Sequence, residues 1–549
     1  MEGCPVHHHG VSKAKGCTHI AVSNFSKLFD LAGLPLSEDE AAILGGPGGI
    51  MHDQDGESAD TEIPCGYIFF AQFVDHDITL DATTGLRDAA RTKDEVEKLP
   101  NIRSASLDLD CVYGFGPEAS PHIYDPERPG RIAENPSGYD LARSPGGVAL
   151  IGDPRNDENI FVSQMQLLFH RFHNKLYNER VHQEPGHCKP SKCADLERTE
   201  PFSRFEEAQR QTRYHYQWLV LFDFLKRLCD PEIYRHAVDK LLKHQPDFPC
   251  FYQPLDCKGK VDLKHGKLTM PVEFSVAAYR VGHTLVRSVY AVNDRNLDLQ
   301  LFDERFSALG FSTYPEDLVI DWRFLLPVDP CMRPRMTKAV DPLLADEIQN
   351  MPRPVVNSNN PNNRALAFRN LLRGNAMGLP SGQAVAKALH SKGYPVDPTF
   401  DLCLDKVKGW EKLDAIVRKD AKGKKLSTLR QETPLFYYIL RESELHDCGQ
   451  RLGPVGSAIL LEVFGGMLKY CGTSFLNHHR DENGKPIPGC EPWHPDPCVA
   501  KERLGWWTDK YQQAFDRDAL VNDEDYYPFE LADVARYVGC EGTHGCPTT

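Results

Sequence analysis

A helical apolar rhythm constrains this chain more than anything else in it. Ile160, Phe161, Met165, Leu168, Phe169, Phe172 and Leu176 recur at steps of three and four, the spacing that lays one apolar stripe along an α-helix. The same rhythm returns over 64–78, 272–287, 364–373, 434–444 and 455–471, whereas alternating, strand-like runs are few and short. The 41 glycines and 40 prolines gather between these segments and predict long ordered loops. No repeat is visible, and no linker breaks the pattern before about residue 478. The expectation is a mainly α fold with little β. A flexible tail over 1–20 precedes one large helical unit over 21–478. An irregular extension over 479–549 then packs on that unit and ends in a short helix near Phe529–Val538.

Composition narrows the functional classes. At 41% hydrophobic and 26% charged, the 549 residues are those of a globular protein. The 63 basic and 78 acidic residues leave a net charge of −15, which does not suit a nucleic-acid or anionic-membrane partner held by bulk charge. No stretch approaches the roughly 20 apolar residues of a membrane helix. The densest run, Trp218–Leu225, carries Asp223 and reads as a core helix. Met1–Gly10 lacks the basic start and apolar core of a secretory signal, so the expected location is the cytoplasm or release by a signal-less route. The 17 cysteines are scattered, unlike the dense framework of a small secreted domain. Cys188 with Cys193, and Cys490 with Cys498, are near enough in sequence to bridge or bind metal, and free thiols are the simpler reading.

Four polar clusters interrupt the apolar pattern. In Ala71-Gln-Phe-Val-Asp-His-Asp-Ile78, Gln72 and His76 share a helix face and Asp75 lies beside it. In Gly152-Asp-Pro-Arg-Asn-Asp-Glu158, Asp153 has the character of an N-cap and Pro154 of a first helical residue opening the long helix, with Arg155 and Glu158 three apart. In Tyr279-Arg-Val-Gly-His-Thr284, Arg280 and His283 share a face of an apolar helix, and Gly282 lets a bulky group approach the backbone. In Arg369-Asn-Leu-Leu-Arg-Gly374, Asn370 and Arg373 stand one turn apart and Gly374 suits a helix C′ position. Each cluster alone fits an ordinary capped helix, a surface ion pair or a satisfied core histidine.

Together, in this order, they resemble the animal-type haem peroxidase family of the peroxidase–cyclooxygenase superfamily, particularly its bacterial and fungal members. The resemblance runs from about Phe25 to Phe475. It implies one large helical domain around a buried haem b, a haem-dependent peroxidase that reduces hydrogen peroxide, and oxidation of halide, pseudohalide or small phenolic donors through a ferryl intermediate. By this resemblance His283 is the proximal iron ligand and Asn370 accepts from its other ring nitrogen. Arg280 and Arg373 lie near the haem propionates and proximal side. His76 is the distal acid–base residue, Arg155 stabilises charge on the departing oxygen, and Gln72 orients water or halide. Asp75 and Glu158 match the two carboxylates that become ester-linked to haem. Asn159 stands beside Glu158, where a methionine would supply a third link. The loop Ser104-Ala-Ser-Leu-Asp-Leu-Asp110 matches the family's calcium loop, with ligands from Ser104, Ser106, Asp108 and Asp110 and a further carboxylate from Asp77. His170 and His173 read as hydrogen-bonded structural residues.

Two other classes compete. A fatty-acid dioxygenase would use the same haem to make a tyrosyl radical at a tyrosine three residues before the proximal histidine. Here Arg280 holds that position and Tyr279 is one residue off. A catalytically dead relative would have lost His76, Arg155 or His283, and all three are present.

Overall fold

The apolar stripe of residues 160–176 becomes the long helix Ile160–Glu179. The computed structural model describes residues 23–539 except 57, 81–84, 86, 180–203, 257–259, 304–310, 354, 421 and most of 479–516. Numbering the helices that carry the architecture in chain order, these are α1 Glu38–Gly45, α2 Gly66–Ile78, α3 Ile160–Glu179, α4 Arg204–Trp218, α5 Pro231–Leu242, α6 Leu366–Ala376, α7 Gly382–Ser391, α8 Leu435–Asp447, α9 Pro454–Tyr470 and α10 Leu531–Tyr537. The fold is mostly helical with a few small sheets. Ser23–Ser26 pairs antiparallel with Pro100–Asn101 and parallel with Met270–Pro271, tying the start of the described chain to the segment just before His283.

Aromatic packing seats the helix that carries His76. α2 lies on α3 through stacked rings, Phe69 on Phe161 at 4.2 Å and Phe73 on Phe169 at 4.8 Å. Each such pair stabilises by about 0.5–1.5 kcal/mol beyond its buried area. α3 in turn packs on α4, and α5 packs on α9. There Gly466 admits the Tyr252 ring, which a Cβ would overlap. α4 runs on through a wider π-type stretch, Leu219–Phe224, every residue of which is buried. Asp223 within it is fully paired, accepting from Tyr67 Oη and the Leu531 amide and bridging Arg227 at 2.8 Å. Among the described residues no helix is long and apolar enough to cross a membrane.

Three local expectations are corrected. The helix expected over 272–287 is broken: Val272–Ser275 is one turn, Ala277 leaves helical geometry, and Ala278–His283 forms a 3₁₀ turn. Tertiary packing overrides the periodicity, because Tyr279 stacks on Phe274 at 5.0 Å and both meet Phe464. Second, Asp153 does cap and Pro154 does lead, but of a separate 3₁₀ turn, Pro154–Asp157, and the long helix starts at Ile160. Third, Gly374 lies inside α6. The left-handed residue after that helix is Gly378, with φ 60°, where a Cβ would strike the Arg91 carbonyl.

Described parts of the C-terminal segment lie against the helical body. Trp493 packs edge-on to Tyr214 and His215, and Arg536 donates to the Val328 carbonyl at 2.8 Å. The helix expected near Phe529–Val538 spans Leu531–Tyr537. The described cysteines Cys65, Cys111, Cys229, Cys250, Cys331, Cys403, Cys448 and Cys471 are free. Cys188, Cys193, Cys490, Cys498 and the 1–20 tail lie outside the described residues.

Candidate active site

One cavity of about 440 Å³ is lined by Gln72, Asp75 and His76 of α2, by Glu158, and by Tyr279, Arg280, Gly282 and His283 of the 3₁₀ turn Ala278–His283. The remaining wall is largely apolar and includes Phe161, Phe302 and Met351. Two imidazoles far apart in the chain therefore open onto one space of ligand-binding size.

On the first wall, α2 places Gln72 and His76 on one face, as their four-residue spacing requires. His76 is buried, with Nδ1 2.7 Å from Asn156 Oδ1 and Nε2 3.8 Å from Glu158 Oε1. Burial, reinforced by the nearby Arg155 charge, lowers its pKa to about 4, so the ring is neutral at neutral pH. Gln72 donates from Nε2 to Glu158 Oε1 at 2.5 Å and accepts from Asn159 Nδ2 at 3.3 Å, which ties its amide at both ends. Burial pushes the Glu158 carboxyl up to about 7. Asp75 goes the other way: burial opposes its ionisation, but the charges of Arg280 and Arg155 outweigh that and hold its pKa below the ordinary value.

Arg155 departs from the expected arrangement. It does not line the cavity among the described residues. Its Nε and Nη2 bond Asp153, and Nη2 also donates to the carbonyls of Thr79 at 2.7 Å and His76 at 3.1 Å. Arg155 thus braces the C-terminal end of α2.

On the second wall, the 3₁₀ turn has three residues per turn, so residues three apart eclipse. Tyr279 and Gly282 stack in this way, as do Arg280 and His283, and all four reach the cavity. Arg280 is fixed by Nε donating to the Ser275 carbonyl at 2.9 Å and lies 4.0 Å from Asp75. Burial, then the Arg280 charge, lowers the His283 pKa to about 3. Its Nδ1 is 2.9 Å from Asn370 Nδ2. The expected pairing is present with the amide reversed: Nδ2, not the carbonyl, faces the ring. An imidazole that gives its Nε2 lone pair to a metal carries its proton on Nδ1, so it calls for the amide carbonyl there, reached by a half-turn of the amide. Arg373, one turn along α6, does not line the cavity among the described residues; its charge falls on Asp88.

Behind α2 a second acidic group is buried. Asp77 Oδ2 accepts from the Leu109 amide and Tyr216 Oη, both at 3.1 Å, and its Oδ1 has no partner. Neither carboxylate oxygen of Asp110 is bonded. Asp108 accepts from Ser104 Oγ at 3.0 Å, while Ser106 Oγ turns away to Cys471 Sγ at 3.1 Å. Burial and mutual repulsion raise the pKa of all three carboxyls. Leu109 between them holds a left-handed φ of 63°, which costs a branched residue about 1–2 kcal/mol. Among the described residues no three acidic, histidine or cysteine side chains close into a coordination shell. His173 is held by Tyr113 Oη at 3.0 Å and the Gly130 carbonyl at 2.9 Å, as a structural histidine would be.

Sequence reasoning gave Asn156 no part, because an amide inside a capped turn is indistinguishable from a turn former. Its only signal was its place between Arg155 and Glu158. Tyr279, one residue off the position a tyrosyl-radical mechanism requires, is brought to the cavity by the 3₁₀ turn.

Two imidazoles on one mostly apolar cavity, each backed by an amide and one with an arginine beside it, are an arrangement suited to holding haem. A family model for animal haem peroxidases matches residues 86–429. The chain belongs to the animal haem peroxidase family, and that membership implies haem binding. The matched span contains Arg155, Glu158, His283, Asn370 and the Ser104–Asp110 loop, while α2 with His76 precedes it. Among solved structures the chain is similar to peroxidase A from Dictyostelium discoideum, at 13% identity and TM-score 0.53, covering 94% of each chain. It is also similar to the fatty acid α-dioxygenase of Oryza sativa, at 16% identity and TM-score 0.51, covering 87% of this chain and 79% of that one. The fatty acid α-dioxygenase of Arabidopsis thaliana follows at 14% identity and TM-score 0.50, covering 91% and 78%. At these identities the likeness is one of fold, the peroxidase–cyclooxygenase fold. No curated protein sequence matches.

Proposed function

We propose that the chain is a peroxidase that uses hydrogen peroxide to oxidise iodide, bromide, thiocyanate or small phenols. The observation that supports this reading best is that His76 and His283, 207 residues apart in the chain, line the same cavity. The cavity fits the group the family implies. A Cβ built on Gly282, beside His283, meets nothing within 4 Å, so the backbone there is left open to a flat ligand. His283 would hold the iron through Nε2, Asn370 would orient the ring, and Arg280, with Arg373 further off, would offset propionate charge. Asp75 and Glu158, both at the wall, would supply the ester links. When bound, haem supplies the iron centre at which peroxide is cleaved and from which donors are oxidised.

The chain's own part is proton handling. His76, neutral with Nε2 on the cavity side, takes the proton of the bound peroxide and returns it to the leaving oxygen. Gln72, tied to Glu158 and Asn159, presents a fixed edge to water or halide. Arg155 acts as a fixed positive charge that keeps His76 neutral and holds it in place. Calcium belongs to the same reading. Three unbonded carboxylate oxygens on Asp77 and Asp110, buried beside Asp108, are a donor set for a hard divalent cation. With Asp77 next to His76, the ion would pin the end of α2; Ser104 and the backbone carbonyl of Ser106 would complete the shell.

The test is haem-reconstituted chain given peroxide with a panel of donors, beside His283→Ala. Turnover that disappears with haem retention in the variant supports the reading. A variant that keeps haem and turnover refutes it. A second reading, a fatty-acid dioxygenase, is favoured by one observation: Tyr279 reaches the cavity, its phenol donating to the Ala71 carbonyl at 3.1 Å. Oxygen uptake with linoleate or arachidonate and no donor oxidation would decide for it.

A further inference from the structure

Behind His76 runs a file of buried amides that the peroxide chemistry leaves unused. Asn156 and Gln166 are fully buried, and His170 is 2% exposed. His76 Nδ1 lies 2.7 Å from Asn156 Oδ1. Asn156 Nδ2 donates to Gln166 Oε1 at 2.7 Å. Gln166 Nε2 donates to the Cys111 carbonyl at 3.0 Å and lies 2.7 Å from His170 Nε2.

The file has a direction, because it ends on a backbone carbonyl, and a carbonyl only accepts. Cys111 therefore requires the NH₂ end of Gln166. That leaves Gln166 Oε1 toward Asn156, where it must meet a donor, so Asn156 presents Nδ2 to it. Asn156 Oδ1 is then the atom facing His76, and an amide oxygen can only accept. The His76 proton must sit on Nδ1. By the same logic the second Gln166 N–H takes His170 Nε2 as acceptor, placing the His170 proton on Nδ1.

We propose that Asn156 is a positioning residue that sets the tautomer of His76, with Gln166 and the Cys111 carbonyl fixing the polarity of the Asn156 amide. The proposal rests on the reading of His76 as the residue that accepts the peroxide proton. A neutral imidazole with no acceptor behind it carries its proton on either nitrogen, and the form protonated at Nε2 cannot take a proton from the cavity. Asn156 removes that form. The proton taken at Nε2 is returned from Nε2, and Nδ1–H stays bonded to Asn156 throughout, so the file conducts nothing and only orients.

The test has two readouts. The first is ¹⁵N-histidine NMR of the full haem-free chain at neutral pH, with His76 assigned by loss of its signals in His76→Gln. The expected result is a protonated Nδ1 and an unprotonated Nε2 in the unaltered chain and in Asn156→Asp, which keeps the acceptor toward His76 while giving up the donor toward Gln166, and a mixture in Asn156→Leu. The second is the bimolecular rate with peroxide in the haem-reconstituted chain. It falls about 10²-fold in Asn156→Leu and recovers to within about tenfold of the unaltered rate in Asn156→Asp, with haem absorbance and the rate of the separate donor-oxidation step unchanged. Protonated Nε2 in the unaltered chain overturns the proposal without recourse to any variant. So does one tautomer and one rate in all three chains, or an equal loss in Asp and Leu variants. The expected tautomers in a chain whose haem does not react with peroxide would support the positioning role and refute the peroxidase reading.

Discussion

Gly282→Leu separates the cavity's role from the fold's. Gly282 lines the cavity next to His283, its φ lies outside the left-handed region, and a Cβ there meets nothing within 4 Å. In the haem-free chain a larger residue therefore has room. Losing glycine's unfolded freedom stabilises by about 0.4–1 kcal/mol where the backbone suits the new residue. With haem seated in this cavity as proposed, the same side chain would take up room the macrocycle needs. Overpacking of this kind costs about 1–3 kcal/mol. At about 1.4 kcal/mol per decade, haem affinity drops roughly 5- to 150-fold. Gly282→Ala, with a single methyl, falls between the variant and the unaltered chain. Haem titration by Soret absorbance, paired with thermal melting of the haem-free protein, reads both effects. A haem-free Gly282→Leu chain destabilised by more than about 1 kcal/mol, with haem affinity unchanged, would refute the reasoning, because Gly282 would then be a packing residue and not a wall of the haem slot.

Calcium should reverse the pH dependence of stability. The Asp77, Asp108 and Asp110 carboxyls have folded pKa values raised above the unfolded value near 3.9, so without metal they stabilise fully below that value and less as pH rises toward about 8. Melting temperature in chelator falls from pH 5 to pH 8, and added calcium restores most at pH 8; a chelator effect absent at both pH values sinks the site. Acidified organic solvent should leave part of the haem on the unaltered chain after peroxide treatment and extract more from Asp75→Asn or Glu158→Gln, and complete extraction from the unaltered chain rules out ester links. Asn370→Asp, which presents an acceptor to His283 Nδ1 in either orientation, lowers the haem reduction potential by tens of millivolts, while Asn370→Leu broadens the ferric EPR signal; unchanged potentials in both would remove Asn370 from the proximal assembly.

Much of this was written in the sequence, and the parts that were not have physical reasons. Residues 66–78 and 160–179 follow the apolar rhythm because each has one continuous face to bury, and the Phe69–Phe161 and Phe73–Phe169 stacks bury it. The segment around His283 has the same rhythm but not the same helix. Its Phe274 and Tyr279 must share one aromatic pocket with Phe464, which no periodicity in a single segment can foresee. The polar clusters were legible as a set because their order and local wording resemble one family, while each alone fits an ordinary capped helix or ion pair. The bonding of each was not: Arg155 takes Asp153 and two carbonyls, and Asn156, unremarkable in the sequence, takes His76. The acidic loop resembles the family's calcium loop in its alternating oxygens, whereas the hydrogen bond of Ser106 Oγ to Cys471 Sγ depends on a residue 365 positions away.

The central claim is that one iron porphyrin lies between His76 and His283. Anomalous diffraction at the iron edge from crystals of the haem-reconstituted chain tests it most directly. The account predicts a single iron peak at bonding distance from His283 Nε2, with His76 on the opposite face of the ring. A peak bound to any other residue, or haem seated elsewhere while the two imidazoles face each other across solvent, would contradict it.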